Sequence, residues 1–354
     1  MAANTTFGYT ILSRSYIEQT LPRADPLSGQ FDVWTENATT WASAPKVKIT
    51  EDFNDFINGS YYGNRSIAFS IPNSSQIFME LMNIGPVNCS GSDGYKNLSL
   101  RIKIVDPKII PSNASIYLFS GQNSNYLYYN LTDTFSSNTT DVWNNLTIPL
   151  AAESWVNNNA DWGNITGMRL KFDWPENYNI TMLVDGLFFR GVFQSPIKID
   201  ATGYLLSFSL SGILQFVIQW FFISGIIFMV AKAFGAKTLW KPILISVGFA
   251  LIILFVQTLA NTIVILSTLP NLYYSLEYLG GTSTEMAIAT AKMNDQTWLF
   301  STINGYIQIA VFVWITALCA TATRLLTELS WAKTTLASAV ALFIAYMISL
   351  LLGI

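Results

Sequence analysis

Leu205-Leu206-Ser207-Phe208-Ser209-Leu210-Ser211-Gly212-Ile213-Leu214-Gln215-Phe216-Val217-Ile218-Gln219-Trp220, continuing from Phe221 to Val230, contains no Asp, Glu, Lys, Arg or His. A helix needs roughly 20 residues to cross about 30 Å of hydrocarbon. A soluble helix of this length would show a polar stripe at the helical period, and these scattered serines and glutamines do not make one. Three further runs read the same way: Pro242–Leu269, Trp298–Ala322 and Thr334–Ile354. The sequence therefore predicts an α-helical membrane bundle of four transmembrane helices (205–230, 242–269, 298–322 and 334–354), with the lipid bilayer as a partner.

The connections predict orientation. Lys232, Lys237 and Lys241 crowd the first, and Arg324 and Lys333 outnumber Glu328 in the third. The second carries Glu277, Glu285 and Asp295 against Lys292 alone. Positive charge stays on the cytoplasmic side, so the loops near 232–241 and 323–333 are expected inside and both termini outside. Residues 1–200 hold 13 of the 19 basic and 18 of the 22 acidic residues, so polar chemistry is concentrated there. That region also holds Asn-X-Ser/Thr acceptors at Asn4, Asn37, Asn58, Asn64, Asn73, Asn88, Asn97, Asn113, Asn130, Asn138, Asn145, Asn164 and Asn179, with none afterwards. The density predicts N-linked glycans on an outward-facing domain; an unmodified Asn-rich surface is the alternative.

Composition removes several chemistries. The chain has no histidine and two cysteines, Cys89 and Cys319. A Ser-His-Asp relay, a His-based zinc site, an iron–sulfur centre and a disulfide framework are all without residues. A net charge of -3 gives no reason to expect nucleic acid. Residues 1–30 form an N-terminal extension lacking the 7–15-residue apolar core of a signal peptide. An outward-facing domain needs a signal, so the expectation is either that Met1 is not the start of the natural precursor or that an upstream helix was removed.

From 31 to 200 the period becomes two. Leu98, Leu100, Ile102 and Ile104 alternate with Ser99, Arg101 and Lys103; Met168, Leu170, Phe172 and Trp174 alternate with Arg169, Lys171 and Asp173. Such alternation marks strands with one buried and one wet face. Other candidates are Arg65–Ile71, Gln76–Met82, Ser115–Phe119, Tyr126–Leu131, Asn145–Leu150 and Ile180–Phe189, separated by Gly, Asn, Ser and Pro clusters. Eight or more short strands without a strong helix predict an all-β sandwich, a jelly roll with an immunoglobulin-like sandwich as rival.

The order Ile49-Thr50-Glu51-Asp52-Phe53, Asn64 to Phe69, Trp143 to Leu150, Asp161-Trp162-Gly163 and Leu183-Val184-Asp185-Gly186-Leu187 resembles the galactose-binding-like jelly rolls of carbohydrate-binding modules. The resemblance implies a structural calcium held by Glu51 or Asp52 with Asp185; a turn cap is the alternative role for Asp185. Trp155 and Trp162, in a polar Asn-rich loop, are candidate sugar-stacking rings, with packing under the loop as the alternative. Trp174 lies on the inward alternation and is expected in the core. Acidic residues are scattered singly, so nothing favours the facing carboxylates of a glycosidase.

Within the predicted spans the polar residues are amides at i, i+4: Gln215 with Gln219, Gln257 with Asn261, Asn304 with Gln308. Each pair shares a helical face, suited to interhelical hydrogen bonding or, alternatively, to a polar path. Ser207, Ser211 and Gly212, and likewise Ala337, Ala341 and Ala345, are expected to let helices approach closely. Thr282-Ser283-Thr284-Glu285 has capping-box spacing and predicts a short helix toward Trp298, on the membrane surface. The segments Val230 to Pro242 and Arg324 to Lys333 resemble the inner loops of the Yip family of multispanning membrane proteins, although that family's acidic-aromatic motif is missing. The resemblance implies that the four spans match the family's last four, with the jelly roll inserted after the first.

These readings predict a non-catalytic, membrane-anchored glycoprotein at the cell surface, in the plasma membrane of an archaeal envelope. It would engage surface glycans, an S-layer or other membrane-complex subunits. A transporter or channel component using the amide-lined bundle is the alternative, and a surface hydrolase ranks last.

Overall fold

The computed structural model describes residues 2–24, 32–136 and 139–352. In chain order the elements are α1 (Ala2–Ser13), β1 (Ser15–Leu21), β2 (Trp41–Ser43), β3 (Lys48–Asp52), β4 (Ser66–Val87), β5 (Asn97–Asp106), β6 (Asn113–Ser120), β7 (Gln122–Asn130), α2 (Thr132–Ser136), β8 (Asn144–Pro149), β9 (Val156–Asn158) and β10 (Ile165–Gln194). Then follow α3 (Pro196–Ala233), α4 (Trp240–Ala250), α5 (Ile253–Thr268), β11 (Leu272–Tyr274), α6 (Leu276–Gly280), α7 (Ser283–Thr327) and α8 (Trp331–Leu352). The chain forms two compact units: Ile17–Gln194 with Tyr274–Ala291, and Met1–Tyr16 with Ser195–Tyr273 and Lys292–Ile354.

The first unit is an antiparallel β-sandwich of jelly-roll character. Its framework is two long strands, β4 and β10, paired from Ile165↔Val87 to Val184↔Ile67 with register shifts between Asp173 and Ile180. Before the shifts, β10 also pairs with β6, and β7 and β9 extend that layer. After them, β10 pairs with β5, which pairs with β8, while β3 adds to the early part of β4. The alternation read from the sequence sets the inner faces. Leu98, Leu100, Ile102, Met168, Leu170 and Phe172 are fully buried, and Trp174 joins the core at 4% exposure. The predicted Arg65–Ile71 and Gln76–Met82 strands are one strand, and the segments from Met168 and from Ile180 are another. Pro72-Asn73 and Pro175-Glu176, turn-forming residues, sit beside the register shifts and bend the strands without ending them.

The wet face of β5 departs from expectation. Ser99 and Arg101 are each only 6% exposed. A second small core of Ile57, Tyr61, Tyr62, Phe188 and Leu276 packs there. The segment just before the Thr282 capping box packs with the sandwich: the Tyr61 amide donates to the Gly280 carbonyl at 3.0 Å. A side chain at Gly280 would strike the Tyr61 ring, its Cβ 2.7 Å from ring carbons.

In the helical unit, four segments among the described residues are long and apolar enough to cross a membrane: Pro196–Ala233, Trp240–Thr268, Ser283–Thr327 and Trp331–Ile348. The capping box at Thr282 forms as predicted, with reciprocal bonds of 3.0 and 3.3 Å to Glu285. The helix it starts does not stop near Trp298; it runs as α7 to Thr327. Ala337, Ala341 and Ala345 are buried at 0–4% exposure, as a close-packing face requires. Ser207 and Ser211 are exposed, and the buried serine of that helix turn is Ser209, whose hydroxyl lies 2.7 Å from Thr5 Oγ1. Thr5 belongs to α1, an element the extension gave no sign of. Arg14, just past α1, donates to the carbonyls of Leu266 and Leu269 at the carboxyl end of α5, where a cation complements the helix dipole.

Candidate functional site

The outer face of the β6 layer carries a group of aromatic rings. Because Ile116, Leu118 and Leu127 point into the core, Tyr117, Tyr126 and Tyr128 point away from it. The register sets Tyr117 opposite both Tyr128 and Arg169. The Tyr117 ring centroid lies 5.5 Å from that of Tyr126 and 5.2 Å from that of Tyr128. All three rings are half-exposed. Beside them Arg169 pairs with Glu80 across the strand and lies over Phe78, 5.1 Å from its centroid. Lys171 Nζ and Asp173 follow at 3.1 Å. Aromatic faces next to fixed donors and acceptors suit a ring-shaped, hydroxyl-rich ligand: rings cover C–H faces, and charged groups bond hydroxyls. The alternation of Arg169 and Lys171 was legible in the sequence. The tyrosines were not singled out, because a cross-strand cluster requires knowing which strands pair.

The predicted stacking rings lie elsewhere. Trp155 is 7% exposed, donates its indole N–H to the Pro149 carbonyl at 2.8 Å, and packs against Tyr129 and Trp162. Trp162 is half-buried against the core. Trp155 thus packs under its loop rather than presenting a free face.

The three calcium-ligand candidates are not brought together. Glu51 bonds Arg65 at 2.9 Å, and Asp52 accepts the amides of Asn54 and Asp55 as a turn cap. Asp185 is fully buried with Asp32, which the sequence reading did not single out. Thr35 Oγ1 bridges them, 2.6 Å from Asp32 and 3.2 Å from Asp185. Backbone amides of Trp34, Thr35 and Leu187 point at Asp32, and those of Ile57 and Gly186 at Asp185. Burial pushes Asp32 up to about 7 and Asp185 well above the usual carboxylate range, the latter also through the Asp32 charge. Among the described residues no three His, Cys, Asp or Glu side chains form a metal-ligand group.

Among the glycan acceptors, Asn138 lies outside the described residues, as does the side chain of Asn4. Asn37, Asn58, Asn64, Asn73, Asn88, Asn130, Asn145, Asn164 and Asn179 are exposed, and Asn97 and Asn113 half-buried.

Two ion-pair groups hold the segment 274–291 within the β-unit. Arg190 is gripped by Glu18 at 2.8–2.9 Å and by Glu277 at 2.5–2.9 Å, a bidentate pair on each side. Burial raises the Glu277 carboxyl, but the hydrogen bonds and charge of Arg190 outweigh it and hold the group at about 2. Arg101 reaches Glu285 at 2.5 Å and the Tyr62 hydroxyl at 2.8 Å, its guanidinium 4.0 Å above the Tyr62 ring.

In the helical unit Gln215, Gln219, Gln257, Asn261 and Gln308 converge on one cavity of about 960 Å³; Asn304 does not line it.

No protein-family model and no curated protein matches the chain. Solved structures that resemble it include the family 11 carbohydrate-binding module of Clostridium thermocellum in complex with a β-1,3-1,4-mixed-linked tetrasaccharide, at 13% identity over 48% of this chain and 94% of that one, TM-score 0.30. A family 30 carbohydrate-binding module of a cellulosomal cellulase from the same organism is similar at 13% identity, over 44% and 90%, TM-score 0.32. An exo-β-agarase is similar at 10% identity, over 47% of this chain and 24% of the enzyme, TM-score 0.33.

Proposed function

We propose that this chain is a membrane-anchored, non-catalytic binding protein whose β-sandwich takes glycans on the Tyr117–Tyr126–Tyr128 face. The observation that carries the reading is that half-exposed tyrosine cluster beside the Arg169–Glu80 pair. Rings on neighbouring strands cover successive sugar units, and the pair bonds their hydroxyls. The non-catalytic part is supported by the state of the acids on this face. Glu80 is paired with Arg169 and Asp173 with Lys171, so both acids are engaged in ion pairs on this face rather than facing each other across a cleft. Placement of the sandwich at the cell surface, on an S-layer-bearing envelope or in a membrane complex, is supported by the exposed Asn acceptors and the basic loops of the helical unit.

The experiment is a glycan-array screen of the full chain followed by calorimetry, with a mixed-linked β-glucan tetrasaccharide among the probes. Binding that falls at least tenfold in Tyr117→Ala and Tyr128→Ala, with unchanged melting temperature, supports the reading. Binding to no glycan, or binding indifferent to both substitutions, refutes it.

A further inference from the structure

We infer that the amide-lined cavity of the helical unit binds a membrane lipid with an uncharged, hydroxyl-bearing headgroup. Three observations meet there. The i, i+4 pairs on α3 and α5 and Gln308 on α7 bring five carboxamides to one space, in the interior of apolar helices. Asn261 is 9% exposed, lines that space, and its Oδ1 is buried without a hydrogen-bond partner. An orphan acceptor in an apolar surround is left desolvated without compensation and calls for a donor. The third is the wall itself: the second span is broken between α4 and α5, where the amides of Ile252, Leu254 and Phe255 bond three residues back. Broken backbone at membrane depth is tolerated where it lines a cavity.

The chemistry of the walls selects the occupant. The volume is that of a small-molecule site rather than a packing defect. No lining residue is charged, so a phosphate would be desolvated there without a counter-ion. Carboxamides donate and accept at once, which matches hydroxyl groups, and a hydroxyl is the donor that Asn261 lacks. Phe216, Ile252 and Phe255 line the cavity and are exposed, an apolar rim suited to acyl chains. The inference is independent of the glycan reading of the sandwich.

The test uses the full chain, purified in mild detergent and offered monoglucosyl diacylglycerol and phosphatidylglycerol with identical acyl chains, with retained lipid read by native mass spectrometry. The expected result is one glucosyl lipid per chain and at most a tenth as much phosphatidylglycerol. Asn261→Leu reduces glucosyl-lipid occupancy at least tenfold, and Asn304→Leu, outside the cavity, leaves it unchanged. Should Asn261→Leu fail to fold, the exposed Gln308→Leu carries the same comparison. Equal retention of both lipids, retention of neither, or occupancy indifferent to the cavity variants overturns the inference.

Discussion

Replacing Arg190 with Met strips the guanidinium from the centre of a nearly dry site. The Glu18 side chain is 2% exposed, that of Arg190 15% and that of Glu277 29%. Glu18 also accepts the amides of Gly191 at 3.0 Å and Leu276 at 2.8 Å, but those dipoles do not neutralise it. Breaking a buried pair by removing one partner costs about 3–5 kcal/mol, because the remaining charge is stranded. At about 1.4 kcal/mol per factor of ten, this multiplies opening of the 274–291 segment by a hundredfold or more. Hydrogen exchange in the full chain reads it directly at the Leu276 amide, which opening releases from Glu18. The double variant Glu18→Gln/Arg190→Met removes the more deeply buried of the two stranded charges and is expected to exchange more slowly than Arg190→Met alone. Leu276 exchange within threefold of wild type in Arg190→Met, or a double variant worse than the single, refutes the assignment of the group as a clamp.

Stability should peak at mildly acidic pH. The Glu277 carboxyl is depressed, so its contribution is complete above its ordinary value of 4.5 and is lost as pH falls toward about 2. Asp32 is raised, so stability is highest below its ordinary 3.8 and is lost as pH rises through about 7. Melting curves across pH 3–9 should show both limbs, and Asp32→Asn should flatten the upper one; an unchanged upper limb would dismiss the buried-pair account. Gly248 faces the Trp220 indole, which donates to the Leu244 carbonyl at 2.7 Å, and an added Cβ would lie 3.0 Å from Nε1. Gly248→Leu is expected to cost about 1–3 kcal/mol by overpacking, read as a lowered melting temperature in detergent. Ala341→Phe, at a fully buried position of α8, should cost a similar amount, while the exposed Phe343→Ala changes little.

Much of the architecture follows from periodicity alone. Four uncharged runs give the spans, and period two gives the buried faces of β5 and β10. The amide pairs were legible because a polar group in an apolar helix has few places to go, and five of the six share the cavity. Three features were illegible for a common reason: each depends on long-range pairing. Ser99 and Arg101 alternate like wet residues and are buried because segments around Tyr62 and Leu276 cover them. The tyrosine face arises from the register of β6, β7 and β10. Asp32 and Asp185 are 153 positions apart, and their joint burial through Thr35 leaves no local pattern.

Both layers of the sandwich are woven on the same two threads, since β4 and β10 each cross from one to the other. Peeling one layer away would tear hydrogen bonds along strands that also organise its opposite number. The domain is therefore built to melt in a single step rather than sheet by sheet, without any covalent staple, as both cysteines are free.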